Sequence, residues 1–338
     1  MPVSAPLHIA IDVMSGDRGP SVCVPAAIAA ARASPEVRFT LVGREAELQR
    51  ELAAGAPANL SCLYAADVVE MSDHPRDALR RKKDSSMRRS LDLVKARTAD
   101  ACVSAGNTGA LMATAHFVLK MLPGVERPAI VSQIPSRGGH TVMLDLGANA
   151  MCTPEQLRQF AVMGEILATD LPGVDGRPRI GLLNIGEEDM KGNETVQAAH
   201  ALLGASDINY VGFVEGHDIF GDEVDVVVTD GFTGNVALKT MEGVARLIRD
   251  AMREEFTRSL ARKLGALAAR PALDALRVRI DPRRYNGATM VGLNGIVIKS
   301  HGGTDPFGFQ RAIEVAILEA RTGVPARIAA KLGSPIQG

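Results

Sequence analysis

The chain is predicted to fold as one α/β domain around a doubly wound, largely parallel sheet. Short runs rich in Val, Ile and Leu alternate with helical stretches through most of its 338 residues, the order that parallel βαβ units require. Several of those runs also end in polar, glycine-containing segments. Val224 to Val228 leads into Thr229-Asp230-Gly231-Phe232-Thr233-Gly234-Asn235, and Ala99 to Val103 into Ser104-Ala105-Gly106-Asn107-Thr108-Gly109. Ile180 to Leu183 leads into Asn184 to Glu194, and Ile296 to Lys299 into Ser300-His301-Gly302-Gly303. Continuous apolar runs read as strands buried on both faces. Loops at the carboxyl ends of such strands are where open α/β sheets bind ligands, so four of them point to one site assembled from dispersed segments.

From the start of the chain, residues 7–13 read as a strand, followed by a Gly/Asp/Pro loop and an Ala-rich helix from Pro20 to Arg32. Arg38 to Val42 is a second strand, and Glu45 to Ala54 a charged helix. After Asn107 and Thr108 a helix is expected over Leu111 to Leu119. One stretch breaks the alternation: from Val244 to Ala268 the apolar residues Ile248, Met252, Phe256, Leu260, Leu264 and Leu267 form a stripe on one long helix. Pro271 is expected to stop that helix, with Ala272 to Val278 returning as a second, so that residues 244–280 form a helical hairpin inserted in the domain. Nine Lys/Arg against four acids between Arg246 and Arg279 give this stretch a local charge of +5 in a chain whose net charge is -1. A second copy of the chain, an anionic membrane surface, or both would meet such a face.

The near-zero net charge provides no global field for nucleic acid. Cys23, Cys62, Cys102 and Cys152 lie far apart without metal-ligand spacing, and read as reduced core cysteines of a cytosolic protein. No leader pattern opens the chain, and no run approaches the ~20 apolar residues of a membrane span.

The segment Ser104 to Ala110 places small residues at a helix start, where backbone N–H groups and the helix dipole favour an anion; an ordinary Asn/Thr cap is the plainer reading. It matches neither the dinucleotide fingerprint nor the P-loop. Within Asn184 to Glu194 the three acids Glu187, Glu188 and Asp189 stand beside Lys191, and they read as surface charge, as a divalent-metal site, or with Lys191 as an inward-pointing ammonium oriented by Asp230. His301, an imidazole able both to donate and to accept a proton, is either a general acid or anion donor or a structural histidine. Arg76, Arg80, Arg81, Lys82, Lys83, Arg88 and Arg89 are offset by Asp77 and Asp84 alone, and form either a solvated face or a dock for an acidic macromolecule.

Seven segments in order, Ile11–Asp17, Lys83–Met87, Ser104–Leu111, Asp145–Asn149, Asn184–Gly192, Thr229–Asn235 and Gly295–Gly302, resemble the phosphate acyltransferases of bacterial phospholipid synthesis (acyl-acyl carrier protein:phosphate acyltransferases). Ser15, Met151 and Gly303-Thr304 depart from that pattern. The resemblance covers nearly the whole chain. It implies a three-layer sandwich similar to isocitrate and isopropylmalate dehydrogenases, without their chemistry, and a reaction of acyl carrier protein thioester with inorganic phosphate to give acyl phosphate. No cofactor or metal is implied. Lys191, Asp230 and His301 are then expected to be catalytic, and Asp12, Gly16, Asn107, Thr108, Gly109, Asn149, Asn184, Asn193, Thr233 and Asn235 to bind phosphate or acyl groups. Arg80, Arg81, Lys82 and Lys83 would dock the carrier protein, and Leu264, Leu267, Leu273 and Leu276 would touch a membrane. The expected protein is a cytoplasmic homodimer, associated in part with the inner face of the cell membrane. Three other functions share some of these features: a metal- and NAD-dependent decarboxylating dehydrogenase, a phosphotransacetylase acting on coenzyme A esters, and a non-catalytic adaptor between carrier protein and membrane.

Overall fold

The computed structural model describes residues 6–174 and 176–333. Its strands are β1 (His8–Asp12), β2 (Arg38–Gly43), β3 (Leu60–Tyr64), β4 (Ala101–Ser104), β5 (Ala129–Ser136), β6 (Gly139–Leu144), β7 (Ile180–Leu183), β8 (Tyr210–Val214), β9 (Val226–Val228), β10 (Ala288–Val291) and β11 (Ile296–Lys299). The helices are α1 (Pro20–Ala33), α2 (Glu45–Glu51), α3 (Pro75–Arg81), α4 (Ser86–Lys95), α5 (Thr108–Leu119), α6 (Pro154–Thr169), α7 (Glu194–Gly204), α8 (Gly231–Thr257), α9 (Leu260–Ala268), α10 (Arg270–Arg279), α11 (Pro306–Thr322) and α12 (Val324–Leu332).

All the strands join one 11-stranded sheet in the order β3-β2-β1-β4-β11-β10-β5-β6-β9-β7-β8. The ladders β11–β10, β10–β5 and β5–β6 are antiparallel and the others parallel. Two parallel blocks therefore run in opposite senses on either side of a short antiparallel centre. Helices cover both faces. Ile9, Ile11, Val103, Ile296 and Ile298 pack under α1 and α11, whereas Ala10, Cys102 and Val297 on the opposite face pack under α4 and α5. In the second block Val142, Leu144, Ile180 and Val226 pack against α6.

Three expectations need correction. The stretch expected as one helix from Val244 to Ala268 is divided: α8 starts at Gly231, runs 27 residues to Thr257, and gives way to α9, whose start is capped by the Ser259 side chain accepting the Arg262 N–H. Pro271 opens α10 rather than closing a helix, because a first-turn proline loses no intrahelical bond. Of the four cysteines read as core, Cys23 and Cys102 are buried, Cys152 is half-buried, and Cys62 is exposed on the edge strand β3.

Candidate functional site

The carboxyl ends of β1, β4 and β11 set out the first group of residues. Asp12, Ser104 and Lys299 occupy matching positions in adjacent parallel ladders, Asp12 beside Ser104 and Ser104 beside Lys299. The Ser104 hydroxyl donates to Asp12 Oδ2 at 2.7 Å. Burial pushes the Asp12 carboxyl up to about 6, against hydrogen bonds from Ser86 and Ser104 that favour its charge. Gly16 has φ 84°, and a Cβ there would stand 2.9 Å from Gly302 O, so only glycine lets the first loop lie against the last one.

Above them begins α5. Asn107 Oδ1 caps it by accepting the Ala110 N–H at 2.9 Å, and its Nδ2 donates to Met71 O at 2.7 Å. The Asn107 side chain is thus spent on the cap, but the backbone N–H groups of Asn107, Thr108 and Gly109 make no hydrogen bond among the described residues. Thr108 and Gly109 are exposed. His301, also exposed, accepts the Gly303 N–H on Nδ1 at 3.1 Å, which leaves Nε2 as the protonated nitrogen of the neutral ring.

The second group stands at the ends of β6, β9 and β7. Asp145 is fully buried and accepts from the backbone N–H groups of Ile130, Gly147, Ala148 and Asn149 and from Asn149 Nδ2. Asn149 Nδ2 also reaches Pro128 O, so this side chain holds the loop together. Asp230 to Asn235, read as a loop, is the cap and first turn of α8. The glycines explain the fit: a Cβ on Gly231 would lie 2.6 Å from Asn149 O, and one on Gly234 would overlap the Asp145 carbonyl. Asp230 caps the helix through Thr233, and Asn235 is exposed beside Gly147.

In the β7–α7 loop Asn193 caps α7, Asn184 Nδ2 is buried with no partner among the described residues, and Lys191 is exposed. Among the described residues no ion pair joins Lys191 to Asp230, and the three acids of this loop belong to no cluster able to hold a metal ion. The helix α8 links the two groups. Asn235 touches the Gly147 loop, and Lys239, one turn on, is near enough to depress the pKa of Lys299.

The basic residues sort by exposure. On α3 and just beyond it Arg80, Arg81 and Lys83 are exposed, with Arg81 paired to Asp77. Lys82 turns inward to Val68 O and Asp73, so it is a tie within the fold rather than part of an open face. Pro75, at the start of α3, packs beside Gly109.

Residues 7–327 match the family model described as "Fatty acid synthesis protein". The chain is 55% identical over 329 residues to the phosphate acyltransferase of Alkalilimnicola ehrlichii, with 96% of each chain covered. It is 54% identical to that of Halorhodospira halophila, covering 98% of this chain and 97% of the relative. The chain belongs to the phosphate acyltransferase family. Among solved structures it is similar in fold to the EutD phosphotransacetylase from Staphylococcus aureus (TM-score 0.60, 16% identity, 93% and 94% of the chains covered). A phosphotransacetylase from Streptococcus pyogenes is comparable (TM-score 0.61, 17% identity, 94% and 95% covered). Those likenesses show the fold: a mixed, largely parallel sheet between helices, as the sequence predicts. Lys299, absent from the expected site residues, is buried at the end of β11 beside the first group; a lysine closing the apolar run Ile296-Val297-Ile298 stands where the strand pattern demands a buried side chain.

Proposed function

We propose that this acyltransferase moves an acyl group from the thioester of acyl carrier protein to inorganic phosphate, releasing acyl phosphate and free carrier protein for phospholipid synthesis. The observation that carries the reading is the start of α5, where three free backbone N–H groups at a helix amino end face outward beside a basic helix.

The chemistry asks little else of the protein. An oxygen of hydrogen phosphate attacks the thioester carbonyl; the C–O bond forms, the C–S bond breaks, and the proton carried by phosphate ends on the carrier's sulfur. Phosphate is itself the nucleophile, so no serine or cysteine need be activated, and burial pushes the thiols of Cys23 and Cys102 up, away from thiolate. The protein's part is to hold two anionic partners together and to offset the oxyanion of the tetrahedral intermediate. Lys191, exposed on its loop, serves the oxyanion. Asp230 positions Thr233 and Asn235 by capping α8, and His301 offers Nε2 as a further donor. Arg80, Arg81 and Lys83 receive the acidic carrier protein next to the phosphate seat.

Two surfaces extend the proposal. Val244, Leu247 and Ile248 are exposed on α8 and would be covered by a second copy of the chain. Leu264 and Leu267 on α9, 62% and 63% exposed, with Leu276 on α10 and half-buried Leu273, would rest on an anionic membrane. No helix among the described residues is long and apolar enough to cross one.

The deciding experiment is incubation of the purified protein with acyl carrier protein thioester and labelled phosphate, and in parallel with the coenzyme A ester. Acyl phosphate from the carrier thioester is expected. Product from the coenzyme A ester alone makes the enzyme a phosphotransacetylase, and product from neither leaves an adaptor.

A further inference from the structure

Lys299 is 8% exposed at the end of a strand whose other residues are all buried. A lysine in that position is costly unless its charge is matched. Its ammonium donates to Ser300 O and, at 3.5 Å, to Ala105 O. Those carbonyls belong to the residues that open the β4–α5 and β11–α11 connections, so Nζ sits between the starts of the two loops, one of which runs into α5 three residues on. An ammonium has three donors, and these contacts use two. Asp17 is close enough to favour its charge, yet among the described residues Lys299 has no ion pair.

The charges around it explain the rest. Burial and the neighbouring Lys239 hold the ammonium down to about 8, with Asp17 acting in the opposite sense. Two cations act on each other here, with Asp17 opposing them, and the Ala105 carbonyl that Lys299 meets leads into the start of α5, where the Asn107, Thr108 and Gly109 N–H groups make no hydrogen bond among the described residues. A small dianion would offset the repulsion between the lysines, taking the third lysine donor together with the helix amides.

We infer that Lys299 is a second cationic residue of the active site, and that it binds the attacking phosphate while Lys191 meets the acyl group's oxyanion. This assignment rests on the acyl-transfer reading above. It divides the two lysines by substrate: Lys299 belongs to the inorganic anion, fixed in the floor of the site, and Lys191 to the acyl donor, arriving from solvent.

The test uses the full-length protein and Lys299→Met, which keeps most of the unbranched side chain and removes its charge. The KM for phosphate should rise roughly ten- to hundredfold, as loss of a charge-assisted contact implies, with the KM for the acyl donor unchanged. Thermal melting with inorganic phosphate gives a readout independent of turnover: phosphate should raise the Tm of the unmodified protein and leave that of Lys299→Met where it was. An unchanged phosphate KM in a folded Lys299→Met overturns the inference while the acyl-transfer reading stands. An unmodified protein that makes no acyl phosphate, but whose phosphate-dependent Tm shift disappears in Lys299→Met, removes that reading and keeps Lys299 as the anion site. Should the variant fail to fold, acetic anhydride labelling of the unmodified protein decides the matter: phosphate should protect Lys299 but not the exposed Lys95, and equal labelling of Lys299 with and without phosphate rejects the assignment.

Discussion

Asp230 and Thr233 are joined twice, the carboxylate accepting the Thr233 backbone N–H at 2.9 Å and its hydroxyl at 2.7 Å. Both carboxylate oxygens are thereby committed to the start of α8, the helix whose first turn lies against the Asp145 loop. Through that cap Asp230 bears on the site by way of the helix.

Asp230→Ala should therefore cost about 1 kcal/mol of stability, the usual value of a cap, with a modest fall in turnover. Asp230→Ser, which caps without a charge, should restore both. Lys191→Ala should behave differently, lowering kcat by roughly two to four orders of magnitude, as for loss of a transition-state donor, with no loss of stability because the side chain is exposed. Denaturation curves and steady-state kinetics on the three variants check this. Asp230→Ser as inactive as Lys191→Ala would place the carboxylate in the chemistry.

Much of the fold was legible because the strands are short apolar blocks: β1, β2, β4, β7, β9 and β11 fall where Val, Ile and Leu concentrate. The antiparallel centre was not. Strands β5, β6 and β10 have no local feature that fixes their direction, which is set by partners far along the chain, as in Val131 opposite Leu144 and Thr289 opposite Val131. The site divides the same way. The cap at Asn107 was legible as the plainer reading of its segment, whereas that at Asp230 was not, because Gly231 and Gly234 disguise the start of α8 as a loop. Whether Lys82 pointed inward or outward was undecidable from a basic run. Its partner Asp73 stands nine residues earlier, across a turn.

Glu319 supplies a pH prediction remote from the chemistry. It is buried beside a cavity of about 40 Å³ lined in part by Val131, Val142, Leu167 and Val315, where Thr289 donates to its Oε1 and Oε2 has no partner among the described residues. Burial pushes its carboxyl from 4.5 up to about 8, opposed by the Thr289 hydrogen bond and aided by Asp170. Between those values the folded state holds a proton that the unfolded state has released, so this group's contribution to stability falls as pH rises from 4.5 through 8. Glu319→Gln cannot ionise. Its stability relative to the unmodified protein should grow between pH 5 and 8.5 in denaturant titrations, and parallel pH profiles would show that Glu319 is not held neutral.

The carrier-docking face should follow exposure rather than charge alone. Arg80→Glu with Lys83→Glu should slow association with acyl carrier protein at low salt, and the deficit should shrink as salt screens it. Lys82→Ala should instead lower stability, since it frees Val68 O and Asp73, with little change in association rate. Stopped-flow binding at two ionic strengths distinguishes these outcomes. Equal association by the double variant and the unmodified protein puts the dock elsewhere.

The exposed leucines divide at the Arg258-Ser259 break, and that division makes the two proposed uses of the helical arm separable. Residues Val244, Leu247 and Ile248 lie on α8 within the same helix that begins at Asp230, so a partner covering them would be held in fixed relation to the site. Leu264, Leu267 and Leu276 lie on α9 and α10, neither of which has a single buried residue. Arg262, Lys263, Arg270, Arg277 and Arg279 flank them, against Asp274 on the same two helices, the composition of a helix pair lying on anionic headgroups. A few leucines with basic flanks give marginal, reversible adsorption. Glu at positions 264, 267 and 276 should therefore abolish co-sedimentation with anionic vesicles while leaving the size in solution and the activity on soluble substrates intact. Leu247→Glu with Ile248→Glu should do the reverse, shifting the protein to monomer and sparing vesicle binding by the separated chains. If the α9–α10 variant still sediments with vesicles, the arm's tip is not the anchor; if it becomes monomeric, those leucines belong to the interface between copies.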